Sequence, residues 1–190
     1  MKGEDGTMSD EPETGTTTEE SGTGYHLSEA EQVRMLRKLL LYWDGQWFLK
    51  AVDTFGLEAA VALNAQVRAS FGRIEMRLLL KAVGKSQADD LADAMRLIEA
   101  YSRTFMGGAL RSDAVLLKPG QAEVTVQRCA AYEGAKRAAL PRQDQACVAC
   151  ETLWNAWLET LLPGTELEVQ YPQRMGKGDM QCRFVIDLGD

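Results

Sequence analysis

The sequence predicts one α+β domain in which an N-terminal helical layer packs on a C-terminal antiparallel sheet with one long inserted helix. Three observations support this. Apolar residues recur at helical spacing from about residue 28 to residue 105, strand-like alternation begins after Gly107-Gly108, and one further helical segment separates two pairs of predicted strands. Helices followed by strands is the order of α+β proteins rather than of alternating βα units.

Charge divides the chain into two parts. Residues 1–24 contain seven acidic residues, one lysine and, apart from two methionines, no large apolar residue, so we expect a disordered acidic tail there. This leaves a net charge of −1 for residues 25–190, which we predict to be a single domain. A nearly neutral domain lacks the basic surface that binds nucleic acids or anionic lipids, so neither is expected as a partner.

The sequence also carries an expectation about location. No apolar run reaches the roughly 18 residues that a membrane-spanning helix needs, and the N-terminus lacks the basic start and apolar stretch of a secretory signal. The predicted location is therefore the cytoplasm. There, the four cysteines are expected to be thiols or ligands rather than disulfides.

The helical half has recognisable boundaries. Ser28 and Glu31 form a capping-box pattern at the start of the first helix, and Gly45 is a point at which that helix could break. A second helix is predicted from Leu57 to about Val83 and a third from the Ser86 region to Phe105. An apolar stripe along the first helix predicts that this helix is amphipathic, with the apolar side formed by Val33, Leu36, Leu40, Trp43 and Trp47.

The second half is predicted to contain four strands and a helix. Residues 114–117 and 123–127 alternate as strands on either side of Pro119-Gly120, which is typical of a tight connection. A helix follows over about residues 145–162. Residues 166–171 and 181–187 then form two further strands around a turn at residues 176–179.

The cysteines are the first candidates for chemistry. Cys147 and Cys150 have C-x-x-C spacing at the predicted start of a helix, where backbone N–H groups favour thiolates. Cys129 at the end of one strand and Cys182 in another could complete a four-thiolate site for Zn²⁺ or an iron–sulfur cluster. The same residues are also consistent with incidental thiols or with a redox or nucleophilic pair, and the sequence leaves these alternatives open.

Aromatic residues are the second candidates. Trp43 and Trp47 flank Asp44 on the first helix, and the later helix carries a second pair, Trp154 and Trp157. Both pairs fit core anchors. Trp43, Asp44 and Trp47 also fit the wall of a ligand pocket.

Other charged residues suggest less. Arg68, Arg73, Glu75 and Arg77 fit a solvated, ion-paired helix face. His26 is the only histidine and lies at the junction with the tail, so an enzyme of this sequence would need another acid or base. Glu151 and Asp44 are the candidates for that role.

Two stretches resemble known families. The segments Tyr42–Phe48, Phe55–Ala60 and Gly72–Glu75 resemble a family of uncharacterised bacterial and archaeal cytosolic proteins. The closing segment Gly178-Asp179-Met180-Gln181-Cys182-Arg183-Phe184, with Cys147 and Cys150-Glu151 before it, is similar to a motif of L-2-amino-thiazoline-4-carboxylic acid hydrolase-like proteins and of 4-vinyl-reductase-like ligand-binding domains.

The resemblance implies an α+β domain with a small-molecule pocket between helices and sheet. In some sensor-type relatives Zn²⁺ is held by Cys and acidic ligands, which by motif position fall here on Cys182 and on Cys150 or Glu151. This chain departs from that pattern in placing its C-x-x-C on a predicted helix and in having no histidine nearby.

These observations lead to a small-molecule-binding domain as the first functional hypothesis. One version of it is a hydrolase of the thiazoline-carboxylate type that uses Cys150 or Glu151. A Cys-ligated Zn or Fe–S sensor or electron-transfer protein is the alternative, and a non-catalytic interaction module is the third. Long amphipathic helices rich in aromatic residues often leave an apolar face for pairing, so the sequence is also compatible with a homo-oligomer.

Overall fold

The computed structural model describes residues 25–189. The predicted acidic tail, residues 1–24, lies outside this range. Within it the chain forms six α-helices: α1 (Glu29–Phe55), α2 (Leu57–Ala82), α3 (Leu91–Phe105), α4 (Ala130–Arg137), α5 (Gln143–Ala146) and α6 (Val148–Leu161). The strands in the same range are β1 (Leu110–Lys118), β2 (Gln121–Cys129), β3 (Leu167–Gln173) and β4 (Cys182–Leu188). The predicted α+β class is confirmed.

The first two helices form a hairpin. Ser28 caps α1, and its hydroxyl and backbone exchange hydrogen bonds with Glu31, as the capping-box pattern predicts. The predicted break at Gly45 is wrong, because α1 continues through it. A mid-helix glycine costs only about 1 kcal/mol relative to alanine. The turn between α1 and α2 is at Gly56, whose φ of 82° favours glycine.

The third helix begins later than predicted. The Asp90 side chain accepts a hydrogen bond of 2.7 Å from the backbone N–H of Asp93 and so caps α3, which begins at Leu91 rather than near Ser86. The chain then makes a short 3-10 turn at Gly107–Ala109 and enters the sheet.

The sheet is antiparallel throughout, with strand order β1-β2-β4-β3. The predicted tight connection is present, since Pro119 and Gly120 join β1 to β2. A 3-10 turn at Met175–Lys177 follows β3 and leads towards β4. Because β2 and β4 are neighbours at the centre, their inward side chains form the base of the core, namely Ala122, Val124, Val126, Phe184 and Ile186.

The helices that cover this face are α3 and α6, and α2 packs on the outer side of α6. Leu91, Ile98 and Tyr101 of α3 join Trp157 and Leu161 of α6 in the central apolar cluster. The approach of α2 to α6 is closest at Gly72, where an added Cβ would lie 2.9 Å from Leu153 Cδ1 and 3.2 Å from Ala156 Cβ. A glycine is needed there because the two helices leave no room for a side chain.

The region between β2 and α6 differs from the prediction. Helix α4 follows β2 directly, where no helix was predicted. The single helix expected over about residues 145–162 is divided into α5 and α6. Cys147 lies between them, as the N-cap of α6, and Cys150 lies in the first turn of α6.

Candidate functional site

The four thiols come from three parts of the fold. Cys129 is the last residue of β2, Cys182 is the first of β4, and Cys147 and Cys150 are at the start of α6. They lie close enough to affect one another. Burial is the main cause that raises the pKa of the Cys147 thiol to about 11, and Cys182 and Cys129 raise it further. Burial likewise raises the pKa of Cys150, with contributions from the other three thiols. The four thiols are therefore near enough to interact electrostatically, and we call them the thiol cluster.

Backbone N–H groups face two of these sulfurs. The N–H of Met175 lies 3.4 Å from Cys182 Sγ, and a backbone hydrogen bond from Gly176 lowers the pKa of Cys147 against the larger effect of burial. Gly176 fits against the cluster only because it has no side chain, since a Cβ there would lie 2.6 Å from Cys147 Sγ. The 3-10 turn before β4 thus covers the thiols and directs donors towards them.

An ion pair borders the thiol cluster. The Arg174 guanidinium donates to the Glu151 carboxylate and lies 4.8 Å from the centre of the Tyr171 ring. Its Nε atom is buried and has no hydrogen-bond partner among the described residues. The positive charge of Arg174 lowers the pKa of Cys147 and Cys182, but burial has the larger, opposite effect.

These environments bear on the predicted catalytic pair. Burial raises the pKa of the Cys150 thiol, whereas an activated cysteine nucleophile needs a lowered one. Glu151 is engaged by Arg174 and is not a free base. Burial therefore favours the protonated form of Cys147, Cys150 and Cys182 when nothing is bound to them, because it raises the pKa of each of these thiols.

The predicted metal ligands need a separate statement. Across residues 25–189, no group of three or more His, Cys, Asp or Glu side chains is arranged so that it could hold a metal ion as it stands. The donor set of Cys129, Cys147, Cys150 and Cys182 is nevertheless chemically suited to Zn²⁺, which is bound by thiolate sulfurs in structural sites. The metal site therefore stays a prediction.

The tryptophans of α1 lie elsewhere than expected. Trp43 is 74% exposed and Trp47 is 40% exposed, so the prediction that this pair anchors the core is wrong. The placement of Trp43, Asp44 and Trp47 in the wall of a ligand pocket stays a prediction. Asp44, between them in sequence, pairs with Arg68 of α2. The helix is turned so that this polar residue, rather than the tryptophans, faces the neighbouring helix.

A second polar cluster is buried between α2, α3 and α6. Glu75 is only 8% exposed, and its carboxylate accepts a hydrogen bond of 2.7 Å from the indole N–H of Trp157. Burial is the main cause that raises the pKa of Tyr101, and the adjacent Glu75 carboxyl raises it further. We call Glu75, Tyr101 and Trp157 the Glu75 cluster.

This cluster overturns one prediction from sequence. Glu75 was expected on a solvated face with Arg68, Arg73 and Arg77, but it lies on the buried side of α2. No local sequence signal identified this side, because the burial of Gly72 and Met76 next to Glu75 is seen only in the structure. A helical wheel through Gly72 places the carboxyl on the α6 side.

A row of aromatic rings joins the two clusters. Phe105 stacks on Tyr101 with centroids 4.5 Å apart, and the row continues through Trp157, Trp154, Phe184 and Tyr171 with successive centroids 5.1–5.4 Å apart. The row ends at Arg174 beside the thiols. The buried pair Trp154 and Trp157 confirms the core-anchor interpretation for α6.

The surface near the thiol cluster is recessed. A depression of about 490 Å³ is lined by Gln173 and by residues 178–181, next to Cys182.

No described helix is both long enough and apolar enough to cross a bilayer.

Comparisons with known proteins bear on the fold. No protein-family model matches the chain, and no curated protein is similar to it at a significant level. Among solved structures, the chain is similar to the phenol-responsive sensory domain of the transcription activator PoxR bound to phenol, with a TM-score of 0.53 and 15% identity over 76% of this chain and 72% of that one.

Two further structures extend the comparison. A trafficking protein particle complex subunit 3 from Naegleria fowleri, covalently bound to palmitic acid, matches with a TM-score of 0.53 and 13% identity over 83% of this chain and 97% of that one. An H-NOX protein from S. oneidensis in the Fe(II) ligation state matches with a TM-score of 0.43 and 16% identity over 71% of this chain and 73% of that one, which is too low to indicate a common fold. The first two matches show that this chain shares their α+β fold.

Proposed function

We propose that this chain is a small-molecule-binding domain of the sensory type and that its ligand binds at the Glu75 cluster. The observation that carries the proposal is the buried Glu75 carboxylate, 2.7 Å from the Trp157 indole nitrogen and surrounded by aromatic rings. Small-molecule sites typically have apolar and aromatic walls with a small number of polar groups that orient the ligand.

The chemistry of the cluster indicates the class of ligand. The carboxylate can accept a further hydrogen bond, and the buried Tyr101 and Trp157 rings form apolar walls beside it. A small ring compound with one hydroxyl or amino group would satisfy both. The fold shared with a phenol-responsive sensory domain agrees with this class. Phe105 stacks on Tyr101 and is itself exposed, so it connects the cluster to the surface.

The test uses phenol as the probe. Isothermal titration should give saturable binding, and benzene, which has no hydroxyl, should bind about tenfold more weakly, because a hydrogen bond to a charged group contributes at least about 1.5 kcal/mol. Glu75→Gln keeps the shape of the side chain and should weaken phenol binding by a similar factor. Glu159→Gln on the exposed side of α6 is the matched control and should bind as the wild type does.

Two outcomes would count against the proposal. One is the absence of measurable binding for phenol, aniline and cyclohexanol alike at millimolar concentration. The other is binding that Glu75→Gln and Glu159→Gln change equally. A hydrolase of the thiazoline-carboxylate type is not part of the proposal, because the raised pKa of Cys150 and the engaged Glu151 do not favour it.

A metal-binding role of the thiol cluster is a second candidate. It is favoured by backbone N–H groups facing Cys182 and Cys147, because such donors stabilise thiolates. Cys129, Cys147, Cys150 and Cys182 would hold Zn²⁺, which would stabilise the end of the sheet where these residues meet.

Elemental analysis of the purified chain tests this candidate. One Zn²⁺ per chain should be found, and Cys150→Ser should remove it. Added Zn²⁺ should also slow alkylation of the wild-type thiols by iodoacetamide. A metal-free chain whose thiols are alkylated at the same rate with and without Zn²⁺ contradicts it, and a colourless preparation excludes the iron–sulfur version.

A further inference from the structure

Two apolar stripes on the outer side of the α1–α2 hairpin have no covering partner among residues 25–189. On α1 the outer stripe consists of Leu36, Leu40, Trp43 and Trp47, spaced by four, three and four residues. On α2 it consists of Leu63, Val67, Phe71, Ile74 and Leu78, spaced by four, four, three and four. These spacings keep each set on one side of its helix.

The two stripes border the same polar contact. Asp44 of α1 pairs with Arg68 of α2, and Trp47 and Phe71 follow these residues by three positions, that is, by about one turn. Both stripes therefore lie next to the contact between the two helices. On the side of α2 that faces α6 the chain buries its own residues, including Gly72, Glu75, Met76 and Leu80.

The size of the exposed surface decides what can cover it. With about 150–250 Å² for each aromatic side chain, and the exposed fractions of these residues, the two stripes present roughly 800 Å². A monomer usually exposes no apolar patch larger than a few hundred Å². A protein–protein interface of standard size buries about 800 Å² on each partner.

We propose that the outer stripes bind the same stripes of a second copy of this chain, so that the two hairpins form an antiparallel four-helix bundle at a twofold axis. A second copy supplies two apolar stripes at matching spacing, which is what such a bundle requires. A second copy is also present wherever the chain is made, so it can cover an apolar surface that would otherwise stay exposed to water. The partner fits by apolar contact rather than by charge.

Sedimentation analysis of the full chain tests the dimer. The wild type should change from 21.0 kDa to twice that mass with a Kd of about 1 µM or tighter, as expected for an interface of this size. Trp43→Glu should raise that Kd at least 100-fold, because a twofold axis introduces the charge twice into a desolvated surface. Trp43 is exposed in the single chain, so circular dichroism should show unchanged helix content.

Two control variants locate the interface. Gln46→Glu adds the same charge on α1, outside the outer stripe, and should leave the Kd within about twofold of the wild type. Leu116→Glu changes an exposed apolar residue of β1 and should also dimerise normally. Hydrogen exchange should be slower in α1 of the dimer than in the Trp43→Glu monomer.

Several results would overturn the proposal. One is a chain that keeps the monomer mass throughout the concentration range. This result overturns the proposal even if the chain binds lipid vesicles or another protein. A dimer that Leu116→Glu disrupts and Trp43→Glu does not would place the contact at the sheet edge instead. Equal effects of Trp43→Glu and Gln46→Glu would mean that charge, and not burial of the stripe, controls association.

Discussion

The two tryptophan pairs of this protein have similar spacing and opposite surroundings. Trp154 and Trp157 on α6 are almost fully buried between α2, α3 and the sheet, whereas Trp43 and Trp47 on α1 are largely exposed. An apolar stripe on a helix indicates that another surface packs against it, but it does not indicate whether that surface belongs to the same chain. In α6 the chain provides the cover. In α1 it does not, and this difference between a covered and an uncovered helix face can be tested residue by residue.

The largest expected contrast is between two leucines. Leu158→Ala on α6 removes a fully buried side chain and should lower the free energy of unfolding by about 2–5 kcal/mol. Leu36→Ala on α1, at a position 62% exposed, should change it by less than about 0.5 kcal/mol in the monomer. Urea denaturation followed by circular dichroism, at a concentration below the dimer Kd, measures both. Similar losses for the two variants would show that α1 is covered within the chain.

The Trp157 indole gives the next contrast. Trp157→Phe keeps an aromatic ring but removes the donor to Glu75, so the carboxylate is left buried without this partner and stability should fall by about 1–3 kcal/mol. Trp43→Phe removes an exposed indole and should have little effect. The same denaturation experiment measures both variants.

A double variant identifies the cause of that loss. Adding Glu75→Leu to Trp157→Phe removes the unpaired carboxylate and should recover part of the stability, giving a coupling energy of about 1 kcal/mol or more in a double-mutant cycle. Additive effects of the two changes would mean that Trp157 acts by packing alone.

Local patterns in the sequence were sufficient for much of the fold. The capping box at Ser28, the tight connection at Pro119-Gly120 and the strand positions of Cys129 and Cys182 depend on neighbouring residues, and the structure confirms them. The exposure of Trp43 and the burial of Glu75 depend on which face of a helix meets the rest of the chain. That choice is made by tertiary contacts such as the close approach at Gly72, which no local pattern contains.

Two glycines sharpen the comparison between α2 and α1. An alanine Cβ at Gly72 would lie 2.9–3.3 Å from Leu153, Ala156 and Trp157, and the overpacking should outweigh the gain in helix propensity, for a net loss of about 1 kcal/mol. At Gly45 nothing lies within 4 Å of an added Cβ, so Gly45→Ala should stabilise the chain by about 0.5–1 kcal/mol. Thermal unfolding gives both signs. A stabilising Gly72→Ala would mean that α2 and α6 can move apart at little cost.

The smallest expected contrast concerns two Lys–Asp pairs. On the covered side, the Asp93 carboxylate accepts from Lys85 Nζ at 2.7 Å, from the Asp89 backbone N–H at 3.1 Å and from Arg96 at 3.2 Å. On α1, Lys50 and Asp53 form an exposed pair at 3.1 Å. Asp93→Asn should cost about 1 kcal/mol at pH 7, whereas Asp53→Asn should cost at most a few tenths.

Lowering the pH should also distinguish the buried pair from the exposed pair. The hydrogen bond from Lys85 is the main cause that holds the pKa of Asp93 below its ordinary value of 3.8. Because the pKa is lower in the folded chain than in the unfolded one, the stabilisation is present above the unfolded pKa and is lost as the pH falls through the folded pKa. The stability difference between the wild type and Asp93→Asn should therefore shrink between pH 5 and pH 2. If this stability difference stays constant over that interval, Asp93 contributes through the shape of its side chain rather than through its charge. Burial around α3 would then not distinguish the ion pair of Asp93 from the exposed pair of α1.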